Sequence, residues 1–184
     1  MDEKVVLAAL EEMKIHALRF TMEDLTKRLR MSKTSLYKIV DTKEKFIHEI
    51  INYLMNEFES DEREIKSGAI TASEKVSHFL DNYTRMFNFL EKGAYEDLKV
   101  IYPKEWERCE EFRCCKLNVL LEFINEGIQK GEFRKINSVM LQHCLLLMSS
   151  ILADVKFLSE NDLTYSQAIN SMRDLVFYGI LRRD

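Results

Sequence analysis

An all-α fold is what this 184-residue chain predicts, and three features of the sequence carry the prediction. Five Gly and one Pro are too few for an all-β protein, which needs turn residues every ~8–12 positions. The long stretches between them are rich in Leu, Glu, Lys, Met and Ala, which are good helix formers. Apolar residues also recur at helical spacing, beginning with Val6, Ala9, Leu10, Met13 and Ala17. The length suits one domain, or a small domain joined to a larger one.

Taken in order, the first element is that amphipathic helix. Thr21 can cap a second helix, Met22 to about Leu29, with Asp24 at N3 completing a capping box and Phe20 and Leu25 at the hydrophobic-staple positions. Ser32 opens a third, over 33–40, with Met31 and Leu36 as its staple pair. Thr42 caps a fourth running to about Lys66, with Phe46, Ile50, Tyr53, Leu54 and Phe58 on one face, and Ser67-Gly68 ends it. Further helices are expected at 72–91, 93–101, 103–130, 137–158 and 164–182. Pro103 suits a first turn and Gly131 a C-cap. The last two are apolar around most of their circumference, which suggests burial on two sides: one against the chain's own core and one against a partner subunit, or else a central position in a larger bundle.

Charge is unevenly spread. The net charge is −4, yet residues 1–45 carry 10 Lys/Arg against 8 Asp/Glu, residues 46–184 carry 17 against 23, and the window 14–45 carries 9 against 4. A basic face on an acidic body is a pattern of local anion binding. The opening Met1-Asp2-Glu3-Lys4 does not read as a secretory signal, and no apolar run reaches the ~18 residues of a membrane span, so a soluble cytoplasmic protein without a membrane association is expected.

Reactive residues are scattered. Cys109, Cys114, Cys115 and Cys144 form no C-x-x-C pair and fit no standard zinc pattern, so they read as small buried hydrophobes. His16, His48, His78 and His143 share no metal spacing, and His143 reads as packed at a subunit interface. There is no Ser/His/Asp set, phosphate loop or paired carboxylate; no catalytic residue, metal or cofactor is expected.

Two short capped helices about three residues apart have helix-turn-helix spacing. On the second, Leu36 and Val40, with Ile39, should face inward toward Leu25 and Leu29. Lys33, Thr34, Ser35, Tyr37 and Lys38 then remain outward: small donors, two cations and a phenol, with no carboxylate. A DNA-reading helix needs such a face, because short donors reach base edges and phosphate oxygens from its N-terminal residues. The amides at Thr42-Lys43-Glu44 open another helix and suit a phosphate.

The segment FTMEDLTKRLRMSKTSLYKIVDTKEKFIHEII, residues 20–51, resembles the DNA-binding segment of the TetR family of bacterial transcriptional regulators. The matching positions are Asp24-Leu25, Lys27-Arg28, Met31-Ser32-Lys33, Ser35-Leu36-Tyr37 and Thr42-Lys43-Glu44. The segments GEFRKINSVMLQHCLLLMSSIL and INSMRDLVFYGIL are similar to the ends of many members. Arg30 and Thr34 stand where the family often has glycine, and Ile39-Val40 where it often has aromatics; an Arg at a left-handed turn costs ~1 kcal/mol.

The resemblance implies an N-terminal helix-turn-helix DNA-binding domain, residues 1–45, followed by a helical bundle for ligand binding and dimerisation, residues 46–184. Lys33, Thr34, Ser35, Tyr37 and Lys38 would touch a double-stranded operator, with Thr21, Met22 and Lys43 at backbone phosphates. A homodimer would pair the helices at 137–158 and 164–182, and a small effector would release DNA, as expected of a repressor. Tyr83, Met86, Phe87, Leu90, Trp106, Phe112, Leu120, Phe123, Met148 and Phe177 could line its site, favouring a hydrophobic or aromatic molecule, or could be plain core. The rival to DNA binding is a helical adaptor of the same fold that docks a protein; a helical enzyme is a third reading.

Overall fold

The computed structural model describes residues 2–87, 93–152 and 154–181, and within them the chain is helical, with one isolated antiparallel bridge between Phe133 and Leu181. The helices are α1 (Glu3–His16), α2 (Met22–Leu29), α3 (Lys33–Ile39), α4 (Lys43–Ser67), α5 (Ala72–Phe87), α6 (Ala94–Ile101), α7 (Pro103–Lys130), α8 (Ser138–Leu152), α9 (Val155–Glu160) and α10 (Tyr165–Ile180), with one 3₁₀ turn, Ala17–Arg19, after α1. Local chemistry explains most boundaries. Asp2, Thr21, Ser32, Thr42 and Thr164 each accept a backbone N–H of the helix they precede. Pro103 is at the start of α7, and Gly131 closes that helix with a φ of 76°, a left-handed conformation that glycine adopts without strain.

Two apolar cores form. The first gathers α1, α2, α3 and the first half of α4, with Phe20 and Phe46 edge to face at 6.5 Å, and it also takes Ala94, Leu98 and Tyr102 from α6 and its C-terminal boundary. The second gathers the last half of α4 with α5, α7, α8 and α10. Phe58 is its hub, with ring centroids 5.4 Å from Phe79, 5.6 Å from Phe112 and 6.5 Å from Tyr83. α4 therefore belongs to both cores: Phe46, Ile47, Ile50, Ile51 and Leu54 to the first, Phe58 and Ile65 to the second.

Ion pairs cross between elements. Arg28 donates to the buried Glu12 at 2.5 Å, fastening α2 to α1, and Arg19 donates to the buried Asp97 at 2.8 Å, fastening the 3₁₀ turn to α6. Inside the second core, Lys116 of α7 reaches Glu62 at 2.8 Å and Glu59 at 3.0 Å on α4.

Several expectations are corrected. The segment 137–158 is not one helix: Asp154 accepts the N–H of Phe157 at 2.9 Å, and this internal cap starts α9 afresh. Ile39 is 40% exposed instead of inward, since α3 ends there and Val40 is already extended. Cys114, Cys115 and Cys144 are exposed and Cys109 half-buried, because the α7 pair falls outside the stripe of Leu117, Leu120 and Ile124. His143 is exposed in the single chain.

Candidate nucleic-acid interface

The site is built from two caps and a turn. The Thr21 hydroxyl accepts the N–H of Asp24 at 3.2 Å, while the Asp24 carboxylate accepts the Thr21 backbone N–H at 2.8 Å and its hydroxyl at 2.7 Å. Those bonds from Thr21 hold the Asp24 carboxyl below its ordinary value. At the far end of α2, Arg30 has φ 53° and ψ 44°; its N–H donates to Lys27 O, and Met31 N–H to Thr26 O at 3.1 Å. The last carbonyls of α2 are thus satisfied by a left-handed cap that this chain builds from Arg instead of Gly. Ser32 then caps α3 by accepting the N–H of Ser35 at 3.1 Å.

Leu25 and Leu36 are both fully buried, which fixes the rotation of α3 about its axis. Lys33, Thr34, Ser35, Tyr37 and Lys38 are consequently exposed together on one short helix without a carboxylate. Thr21 is exposed at the start of α2. The Met22 side chain is core. Lys43 sits differently: its ammonium donates to Leu18 O at 2.7 Å and lies 4.8 Å from the centroid of the Phe20 ring. Burial lowers its pKa, partly offset by Asp97 and nearby carboxylates. This side chain ties the start of α4 to the α1–α2 connection.

Glu23, absent from the expected set, is part of this surface. Its carboxylate pairs with Lys27 at 3.2 Å and Lys33 at 3.4 Å, and those two lysines hold it below the ordinary carboxylate range. The Lys27 contact is legible as an i,i+4 pair; the one to Lys33 crosses the turn and requires the fold.

Most of the expected effector residues meet in the second core. Tyr83, Leu120 and Phe123 are buried, and Met86, Phe112, Met148 and Phe177 are partly buried against the same core. Trp106, packed on the same core, meets Tyr95 edge to face at 5.4 Å, and Phe177 pairs with Tyr178 at 5.6 Å. The Phe87 side chain and Leu90 lie outside the described residues. An apolar cavity of about 30 Å³ lies at the joint between the two cores, walled by Met13, Leu18, Ile47, Met86, Leu98 and Cys109 among others; Met86 alone belongs to the expected set. Burial pushes the Cys109 thiol up to about 12, so it is not poised as a thiolate.

Along the other side of the bundle, α8 and α10 expose Val139, Met140, Leu147, Leu175 and Tyr178, each more than half accessible. Val176 is instead 5% exposed and belongs to the chain's own core.

No family model matches the chain. It is 24% identical over 181 residues to the uncharacterized HTH-type transcriptional regulator YvaF of Bacillus subtilis (strain 168), covering 98% of this chain and 95% of that protein. Among solved structures it resembles a transcriptional regulator from Cytophaga hutchinsonii, with a TM-score of 0.66 at 19% identity over 98% of each chain. It resembles equally the TetR family regulator PfmR from Thermus thermophilus, with a TM-score of 0.66 at 17% identity, covering 98% of this chain and 100% of that one. Helix-turn-helix and bundle together, the chain has the fold of the TetR family of transcriptional regulators.

Proposed function

We propose that the protein is a ligand-responsive transcriptional regulator, a homodimer that holds a near-palindromic operator and represses until a small hydrophobic or aromatic molecule releases it. The observation that carries the reading is the face of α3: five exposed donors and cations, no carboxylate, and a helix axis fixed by two buried leucines. In this reading residues 1–45 bind DNA, and residues 46–184 bind the effector and the second subunit. α3 enters the major groove, Thr21 and the first-turn amides of α2 and α4 meet phosphates, and two copies address grooves ~34–36 Å apart. Exposed large apolar side chains on α8 and α10 support the dimer, because subunit contacts cover apolar surface of this kind. A cytoplasmic location follows from that role. The relationship to named regulators supports the class of activity; the residues above are the chain's own.

Selection of the purified protein against a random duplex pool at two salt concentrations tests this. Enrichment of a palindrome, with affinity falling as salt rises, is expected, since released counterions make phosphate contacts salt-dependent. No enrichment at low salt, with or without cell extract, would favour the adaptor reading instead.

A further inference from the structure

Arg113 stands in the wrong place for a surface cation. It is 7% exposed, and on α7 it begins the stripe continued by Leu117, Leu120 and Ile124, all buried, at spacings of four, three and four residues. An apolar side chain would fill this core position at no electrostatic cost. A guanidinium here has lost its water, which is unfavourable unless partners replace it.

Those partners are incomplete. Nη2 donates to Glu110, three residues earlier on the same helix, so the pair fastens no two elements together. Nε and Nη1 are buried and, among the described residues, have no hydrogen-bond partner. The contrast with Lys116, one turn on, is informative. Lys116 ties α7 to α4 through Glu62 and Glu59 and lies 4.8 Å from the Phe112 ring centroid, which amounts to a structural role. Among the described residues Arg113 has no such tie, while Tyr83 of α5 lies within reach of its charge and Phe112 is its neighbour in sequence.

We propose that Arg113 anchors an internal carboxylate site, its two unbonded buried nitrogens receiving the acid group of a small apolar carboxylate whose body lies among the aromatic side chains between α5 and α7. A guanidinium only donates and a carboxylate only accepts, so the two are complementary, and charge-assisted bonds are the strong ones. Beside the Arg113–Glu110 pair a monocarboxylate adds one negative charge, whereas a doubly charged phosphate would add two, so the singly charged acid is the less costly guest. A neutral alcohol would leave the guanidinium charge as it stands. This deepens the effector reading above and rests on the bundle being where the effector binds.

The test uses the full chain and three matched pairs of probes: benzoate and benzyl alcohol, 3-phenylpropanoate and 3-phenylpropanol, octanoate and octanol. Calorimetry and thermal shift in the absence of DNA should show at least one acid binding tenfold or more tighter than its alcohol. Arg113→Met and Arg113→Gln should abolish that preference, leave alcohol binding within twofold, and melt no lower than the parent without ligand. Equal binding of acid and alcohol, no binding of any acid at millimolar concentration, or a preference that survives Arg113→Gln would each overturn the site. A ligand-free melting temperature lowered in both variants would show that Arg113 is structural, and would overturn it as well. Acid binding that leaves the operator complex intact would retain the site and remove the effector reading.

Discussion

Replacing Lys116 by Met should destabilise the protein by about 3 kcal/mol, and the number can be worked from the ion pair it breaks. Lys116 and Glu62 have side-chain exposures of 6% and 8% and are separated by 2.8 Å. At an effective dielectric of ~20, two unit charges at that distance attract by ~6 kcal/mol, most of which offsets the cost of taking both out of water. Removing one partner leaves the other's cost uncompensated, typically ~3–5 kcal/mol. Lys66, which also reaches Glu62 at 2.7 Å from the solvent side, places the effect at the lower end. Urea unfolding of Lys116→Met, Glu62→Leu and the double variant at one fixed protein concentration should give ~3 kcal/mol for each single change and ~1 kcal/mol or less for both. Singles that cost under ~1 kcal/mol, or a double that equals their sum, would refute the coupling.

The same pair sets an acid limit. Burial alone would raise the Glu62 carboxyl, but the hydrogen bonds and charges of Lys116 and Lys66 outweigh it and hold the group below its usual 4.5. A depressed folded value means the stabilisation is complete above pH 4.5 and is lost as pH falls through the folded value. Lys116→Met should therefore flatten the loss of stability on acidification below that pH.

Three further outcomes are expected. Glu23→Gln should free Lys27 and Lys33, tightening binding to any duplex about two- to fivefold and steepening its salt dependence; unchanged affinity and slope in a filter-binding titration would show that the pair does not compete with DNA. Leu175→Arg should yield folded monomers by light scattering because that side chain is 69% exposed, whereas Val176→Arg should lose the fold, because that one is core; dimers persisting in Leu175→Arg would move the interface elsewhere. Gly127→Ala should cost ~1–3 kcal/mol by urea titration, since a Cβ there would stand 2.3 Å from the Phe133 ring, which is itself buried; a loss under ~0.5 kcal/mol would mean that the ring can shift freely.

The helix-turn-helix is legible in the sequence because its determinants are local. Thr21 with Asp24, Ser32 with Ser35 and Thr42 with Lys45 sit within three residues of each other, so caps and helix starts follow from neighbouring positions. The turn itself is also local: Arg30 takes the left-handed conformation that its place in the pattern demands. What stays hidden depends on partners far along the chain. Lys43 finds Leu18 and Phe20, some 25 residues away, and so turns inward. The break before α9 is hidden because Asp154 looks like one polar residue in an apolar run until its carboxylate is seen on Phe157. Arg113 and Lys116 are charged yet buried, and the partners that hold Lys116, Glu59 and Glu62, lie far earlier in the chain.

The shared membership of α4 in two cores has a mechanical meaning. Its 25 residues make a rod of ~37 Å, and from Phe58 to Lys43 the arm is ~22 Å. A tilt of about 5° imposed at the bundle end would carry the first turn sideways by ~2 Å, enough to take a side chain out of hydrogen-bonding range. Phe46, Ile47 and Ile50 would carry their core with the helix, while the bonds of His48 and Asn52 to Glu105 and Arg108 of α7 would have to yield. In the homodimer proposed above, displacements of that size would change the span between the two copies of α3 from both ends together.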